Sequence, residues 1–490
     1  MRSDEADGST TTALGVDVGS SNVKVVLVRI GASVDELAVC AAPTPADADS
    51  LVRVVFDLIR SVVVSAPETP SAIGIASMAE SGVPLGADDR PLRPIVRWDG
   101  DDDSVDLERL LDAFGADELY RRTGVPALAK APLVLWAGLR RREPETWAAM
   151  SRWAGVADLV GLALTGVLAT DHTLAARTMA FAVPPDRALG GWDEELLATV
   201  GLDASRLPVV RPSGQPVGPV TDSVAARTGL PSGVPVYIAG HDHSVGGWAA
   251  GARRPGEVAD SIGTAEALVR VLDAEPDRSS IRPTGMSVTR SVTGSPVLLA
   301  GSASSGAFAK WWFTHRTGVR DPGEVLAALA DEPVAPTPYT VLPYLSGRQT
   351  PEPDRRAVSR VLDEAGRDVD AARGDAVLLA RAMFEGLSLH ARWMLETQRG
   401  FVGREVGAIR VLGGPGGGNR PWMSVKAQVF TAPTRLATVS QPVATGAALL
   451  AAVRAGAVAD APELPSVALE RDPGDPYDAA YRRFVTAATA

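Results

Sequence analysis

The chain predicts an α/β protein of two domains, and three observations carry that expectation. At 490 residues it exceeds what one compact core accommodates, so two domains of roughly 200 to 250 residues are expected. Short apolar runs that read as strands alternate with stretches of helical periodicity along most of its length. One pattern also occurs twice: Ala13 to Ile30 and Val258 to Val271 each read strand, small-residue turn, strand, ahead of mixed α/β material of similar length. The expected division is a disordered tail over 1–12, a first domain over 13–247, a second over 248–458, and a C-terminal tail with a short helix over 459–490.

Composition narrows the function. A hydrophobic share of 46% and a charged share of 22% suit a globular enzyme. The net charge of −11, with no lysine or arginine run, argues against a nucleic-acid partner, which needs a clustered basic face. Cys40 is the single cysteine, so no disulfide forms within the chain and a cysteine-based metal site is not expected. The opening MRSDEADGSTTT lacks the charged-then-apolar order of a secretory signal, and no apolar run of about twenty residues reads as a membrane span. A cytoplasmic protein with no membrane partner is expected.

Taken in order, Ala13 to Val18 is an apolar strand with Asp17 near its end, Gly19-Ser20-Ser21 is a turn, and Val23 to Ile30 resumes β-branched alternation. Glycine and serine let backbone N–H groups approach an anion. A carboxylate beside a phosphate is repulsive unless a divalent cation lies between them, so Asp17 implies Mg²⁺ if this turn binds phosphate. Lys24, one of only four lysines, stands beside the turn, either as a phosphate partner or as a solvated strand-edge residue.

Ser50 to Ala66 reads as a helix and Ala72 to Ala76 as a buried strand, followed by Ser77-Met78-Ala79-Glu80, in which Glu80 is a candidate ligand for hydroxyls. Asp99, directly after Trp98, is a candidate for gripping a polyol, whereas Asp101 to Asp103 read as a solvated loop. From Leu107 to about Gly166 the pattern is mainly helical, with Trp136, Trp147 and Trp153 in the core. The polar segment from Asp171 to Thr178 either overlies a ligand or caps a loop.

Val236 to His241 is a buried strand that delivers Asp242, and a second strand leads to the small-residue loop Ser261-Ile262-Gly263-Thr264. His241 and His243, two apart on an extended segment, are expected on opposite faces, in hydrogen-bonding rather than metal-binding roles. The small-residue turn ending in Ser305-Gly306 opens a helix and suits an anion or ribose neighbour. Ile409 to Leu412 ends in a glycine loop, Gly413-Gly414 to Asn419, against which a nucleobase could lie flat.

These motifs together resemble the FGGY family of carbohydrate kinases, in order from about residue 13 to 456. Gly15 to Ser21 looks like the family's first phosphate motif, and Asp260 to Thr264 like the second. Asp242 falls at the position of the catalytic aspartate, Leu342-Pro343-Tyr344-Leu345-Ser346-Gly347 is similar to a family signature, and Gly413-Gly414 with Asn419 and Trp422 matches the adenosine loop. The resemblance implies two actin-like, ribonuclease H-like ATPase domains flanking a deep catalytic cleft. It further implies ATP and Mg²⁺ as cofactors, Asp17 as the metal residue, and Asp242 as general base toward a sugar or polyol hydroxyl. Gly19, Ser20, Ser21, Lys24, Gly263, Thr264, Ser305, Gly413, Gly414 and Asn419 would hold the nucleotide, while Met78, Glu80, Asp99 and Asp242 would meet the acceptor. A homodimer is a possible assembly.

Three departures concern the acceptor and the nucleotide loop. Glu80 lies where xylulokinases carry a histidine-containing motif and is closer to the glycerol kinase arrangement. The arginine of a tryptophan-x-aspartate-x-arginine motif is missing after Trp98, and Gln441 stands where many relatives have glutamate. The acceptor is therefore expected to be a ketose or polyol, or alternatively a cyclitol or other specialised molecule. A non-enzyme relative of actin and the heat-shock chaperones, or a catalytically dead sensor, is the competing class; Asp17, Asp242 and both turns count against it.

Overall fold

The computed structural model describes residues 10–100, 104–184, 189–212, 214–316, 321–330, 332–371, 374–402, 405–413 and 418–490. Asp101 to Asp103 and Gly414 lie outside the described residues. The chain forms two compact units. The first comprises Met1–Ala249, Thr289–Pro296 and Val439–Pro465, the second Ala250–Val288, Val297–Thr438 and Ser466–Ala490.

In the first unit, Thr11–Val18 (β1) and Asn22–Ile30 (β2) form an antiparallel hairpin with Asp17 opposite Lys24. Val34–Pro43 (β3) extends it antiparallel to β2. Helix Ala48–Ser65 (α1) begins where Asp47 caps the Ser50 N–H at 2.8 Å, and buries Leu51, Val55, Ile59 and Val62 at helical spacing. Ile73–Ser77 (β4) runs parallel to β1. Helices Pro132–Arg142 (α2), Val156–Thr165 (α3) and His172–Ala175 (α4) follow. Gly218–Pro219 (β5) then leads to Pro235–His241 (β6), which pairs parallel with β4, and Asp242–Ala249 (α5) turns off its end. The sheet order is β5-β6-β4-β1-β2-β3. Trp136, Trp147 and Trp153 share a separate apolar cluster around α2, as expected.

The second unit repeats the plan. Val258–Ile262 (β7) and Glu266–Val271 (β8) form an antiparallel hairpin. Ser287–Arg290 (β9) and Pro296–Ser302 (β10) follow, β10 antiparallel to β8. After helices Gly306–His315 (α6) and Ala376–Val402 (α7), Ile409–Leu412 (β11) lies parallel to β7; Arg420–Val429 (α8) and Thr434–Ala437 (β12), parallel to β11, come next. The 27-residue α7 is buried almost all round, which its mixed polar sequence obscures. Its polar groups find partners inside: Gln398 Nε2 donates to the carbonyls of Leu268 and Leu298, and Glu385 accepts from Thr337 and Tyr477.

Two segments depart from the expected division. Pro442–Arg454 (α9), assigned by sequence to the second domain, packs on β1 and β4 of the first unit. There the cross-strand neighbours Gly15 and Gly74 make room: a Cβ on them would come within 1.8 Å of the Ala444 carbonyl and 1.9 Å of the Ala447 carbonyl. The stretch expected as a C-terminal tail is built into the second unit, where Ser466–Ala468 (β13) pairs with β12 and Asp478–Thr489 (α10) buries Phe484. The second sheet therefore reads β9-β10-β8-β7-β11-β12-β13. At the other end, Thr11 and Thr12 of the expected disordered tail belong to β1; residues 1–9 lie outside the described residues. Among the described residues no helix is long and apolar enough to cross a membrane.

Candidate active site

The first hairpin turn is anchored through its carbonyls. Gly19 C=O accepts from Thr44 Oγ1 at 2.7 Å, Ser20 C=O from both terminal nitrogens of Arg97 at 3.2 Å, and Ser21 C=O from the Thr44 N–H at 3.0 Å. Asp17, 2% exposed, lies one residue before the end of β1. Its Oδ2 accepts from Lys24 Nζ at 3.0 Å, while Oδ1 is buried without a hydrogen-bond partner. Lys24 is therefore an ion-pair partner of Asp17. The Asp17 carboxylate holds the ammonium above its ordinary pKa against the opposing effect of burial.

Glu80 follows β4 in a left-handed backbone conformation, φ 62°, which costs energy for a side chain of this size. Arg177 holds it, donating from Nε at 3.0 Å and from a terminal nitrogen at 2.7 Å to Oε1. Lys130 Nζ stands 4.0 Å from Oε2 and lies over the Trp98 ring at 4.9 Å. Burial pushes the Glu80 carboxyl up, but the cations Lys130 and Arg177 outweigh it and bring it down to about 2, so Glu80 is ionised at neutral pH. Met78 is 5% exposed and lines the same cavity as Glu80. Asp99 spends both carboxylate oxygens on Arg97, at 2.8 and 2.9 Å, a partner that sequence reading had not given it.

Asp242 stands at the junction of β6 and α5, its side chain 21% exposed. Oδ1 accepts from the His243 N–H at 2.7 Å and lies 3.2 Å from His241 Nε2. The two histidines do not point to opposite faces: the strand ends at His241 and the helical turn begins at once, so the rings meet edge to face at 5.2 Å. These three residues bring ligand atoms within 4.8 Å of one another. Burial and the neighbouring cations hold His241 well below its ordinary pKa, so its ring is neutral. Burial raises the Asp242 pKa, and Asp17 raises it further against His243 and Lys24.

A buried relay fixes that junction. Thr173 Oγ1 donates to Asp171 Oδ1 at 2.6 Å and accepts from the His241 N–H at 2.8 Å. Gly240, at a bulge with φ 133°, allows the approach, since a Cβ there would lie 2.4 Å from Thr173 Oγ1. Asp171 is itself gripped by His172 at 3.4 Å and Arg454 at 3.5 Å. The segment singled out at Asp171 to Thr178 thus both caps α4 and supplies Thr173 and Arg177 to this side of the unit.

In the second unit Gly263 and Thr264 form the hairpin turn, and the Thr264 carbonyl accepts the Ser305 N–H at 3.3 Å and the Ala307 N–H at 3.1 Å. Ser305, expected beside an anion or ribose, is fully buried and donates its hydroxyl to Glu266 Oε2 at 3.0 Å. Gly413 has φ 136°, and a Cβ on it would fall 1.8 Å from the Ile262 carbonyl, so glycine is required there by packing. Asn419 caps α8 by accepting the Trp422 N–H at 3.1 Å. Sequence reading missed Lys426, a fully buried ammonium on α8 that donates to both Asp260 and Glu266.

Two units that share a five-stranded core order, β3-β2-β1-β4-β6 in the first and β10-β8-β7-β11-β12 in the second, each with a small-residue hairpin turn beside acidic side chains, have the actin-like, ribonuclease H-like ATPase fold. Comparison with known proteins refines it. The N-terminal domain of the FGGY family of carbohydrate kinases matches residues 12–248, and the C-terminal domain of that family matches residues 261–455. The chain is similar to the xylulose kinase of Bacillus subtilis strain 168, at 24% identity over 90% of this chain and 88% of that one. It also matches the L-fuculokinase of Haemophilus influenzae, at 30% identity over 42% of each. The crystal structure of gluconate kinase from Lactobacillus acidophilus shares the fold, with a TM-score of 0.82 and 20% identity over 98% of this chain and 97% of that one. The chain belongs to the FGGY family of carbohydrate kinases, phosphotransferases that act on sugar hydroxyls with ATP as co-substrate.

Proposed function

We propose that the protein transfers the γ-phosphate of ATP to a hydroxyl of a pentulose, hexulose or polyol, with Asp242 as general base. The setting of Asp242 supports this most: a carboxylate at a strand–helix junction, held by its neighbour's N–H and by the Thr173 relay, in the same unit as Glu80. Its raised pKa suits proton acceptance. Asp242 takes the hydroxyl proton while the acceptor oxygen forms its bond to the γ-phosphorus; the bond to the bridging oxygen breaks and ADP leaves. Glu80, Met78 and Asp99 are proposed on the acceptor side. Gly19, Ser20, Ser21 and Lys24 in the first unit, and Gly263, Thr264, Gly413 and Asn419 in the second, are proposed for the nucleotide.

The unpartnered Asp17 Oδ1 fits a hard divalent cation, directly or through water, and Asp17 is the residue proposed to hold Mg²⁺. When bound, that ion would neutralise phosphate charge. A cytoplasmic location is proposed with the same function.

ADP release from ATP, with and without Mg²⁺, across pentuloses, hexuloses, polyols and cyclitols tests the acceptor class; no acceptor-dependent ADP would overturn it. Asp242→Asn is expected to keep ATP binding and lose at least roughly a hundredfold in kcat, and near-normal turnover would remove Asp242 as base.

A further inference from the structure

Behind the strand end that carries Glu80, the first unit holds a small cavity of about 40 Å³, partly open to solvent, with room for a group the size of a terminal hydroxymethyl. The Ser77 to Ser81 segment forms one wall, and residues of α2, α3 and α4 form others. Three indoles, Trp136, Trp153 and Trp192, share the lining with one further carboxylate, Asp158. That combination of aromatic faces and a fixed acid suits a polyhydroxylated ligand: C–H faces lie on rings, and hydroxyls meet the polar atoms.

Two polar atoms of this lining have no hydrogen-bond partner. Asp158 Oδ1 and Trp136 Nε1 are both buried and unsatisfied, in residues 4% and 0% exposed. Asp158 Oδ2 is occupied, accepting the Gly155 N–H at 2.8 Å in the cap of α3. Nearly all buried polar groups are paired, so an orphaned acceptor and an orphaned donor lining one cavity point to a ligand that completes them. Burial lifts the Asp158 carboxyl to about 7, and a hydroxyl can serve both atoms, donating to the carboxyl oxygen and accepting from the indole N–H.

We propose that this cavity is the distal part of the acceptor site and receives the end of the sugar or polyol remote from the phosphorylated hydroxyl, with Asp158 and Trp136 as specificity-determining residues. The proposal rests on the reading of the protein as a kinase of a ketose or polyol. Glu80 is common to both parts, because it lines the cavity while Arg177 and Lys130 hold its carboxylate. Acceptors of six or seven carbons gain the contacts to Asp158 and Trp136, and shorter ones forgo them.

The test compares the full-length wild type with Asp158→Asn and Trp136→Phe, substitutions close in shape that replace one carboxyl oxygen and remove one indole N–H. Calorimetric Kd values are measured without nucleotide for a pentulose, a hexulose, a heptulose and myo-inositol, with ADP release followed in parallel. The wild type is expected to bind one of the larger members at least about tenfold more tightly than the pentulose, the size of one hydrogen bond. Each variant is expected to bring that ratio to within about twofold while the KM for ATP stays unchanged. A wild-type ratio near one, no binding of any member, or variants that keep the wild-type ratio would each overturn the proposal, the last showing that the cavity holds water only. If Asp158→Asn fails to fold, Trp136→Phe carries the test. Binding with the expected ratios but no ADP would sink the kinase acceptor instead, and ADP release with unaltered ratios would sink the cavity alone.

Discussion

The hairpins β1–β2 and β7–β8 occupy equivalent places in two sheets that share a five-stranded core order, yet they handle charge in opposite ways. In the first, Lys24 comes from the strand directly opposite Asp17, is 29% exposed, and leaves Asp17 Oδ1 without a partner. In the second, Lys426 reaches in from a helix 166 residues away from Asp260, is fully buried, and is shared between Asp260 and Glu266, with Ser305 on the remaining Glu266 oxygen. Burial raises the Asp260 pKa; burial would raise that of Glu266 too, but Lys426 outweighs it there. One buried cation thus serves two buried acids of unequal proton affinity. The first arrangement leaves an oxygen to offer a ligand, whereas the second closes on itself and fixes the hairpin that carries Gly263 and Thr264.

Removing the two lysines tests this contrast most sharply. Lys426→Met strands two buried carboxylates and is expected to cost about 3–5 kcal/mol in urea denaturation. Lys24→Met, which removes the hydrogen bond to one buried carboxylate, is expected to cost less, about 1–3 kcal/mol, with a further effect in the Mg²⁺ dependence of turnover. Equal losses of stability would break the contrast.

Next in size is a pH effect. Burial lifts Glu385 of the second unit to about 7 despite its bonds to Thr337 and Tyr477, whereas Glu80 of the first is held down to about 2. Between the ordinary carboxyl value and about 7, folded Glu385 keeps a proton that the unfolded chain has released. Its contribution therefore falls as pH rises through that window and is level above it. Glu385→Gln is expected to flatten this loss, on the order of 2–3 kcal/mol, in denaturation midpoints taken from pH 4.5 to 8. Glu80 works in the reverse sense: its stabilisation is complete above the unfolded value and is lost as pH falls toward about 2.

Gly413→Ala, which forces a methyl against the Ile262 carbonyl, is expected to cost about 2 kcal/mol in thermal unfolding and to weaken nucleotide binding. A neutral result would show that β7 and β11 part easily. The smallest effect concerns Thr173. Thr173→Val removes the hydrogen bond to the His241 N–H and is expected to lower kcat about tenfold with the KM for ATP unchanged, the size of one hydrogen bond. Thr173→Ser should restore it; failure to do so would leave Thr173 a packing residue.

What could be read from the chain was local. An apolar run ending in Asp17, Glu80 or Asp242 announces a strand end with a polar tip, and the strand–turn–strand recurrence foretold the repeated sheet order. What escaped depends on distance along the chain. Arg177 meets Glu80 across 97 residues, and Lys426 meets Glu266 across 160; neither pairing leaves a trace in spacing. The histidines were misjudged because a strand period was carried one residue past His241, where the helix begins. The pairing of Asp99 with Arg97 was missed because that arginine precedes rather than follows Trp98.

Helix α9 has a consequence for how the molecule is made. During synthesis β1 to β6 leave the ribosome well before Pro442–Arg454 exists, so the strip marked by Gly15 and Gly74 stays uncovered until the whole stretch from Ala250 to Thr438 has been made. The first unit is begun first and finished late. A nascent chain stalled anywhere between Ala250 and Thr438 carries an exposed sheet face, and scission at Ala249 leaves its N-terminal product without its covering helix.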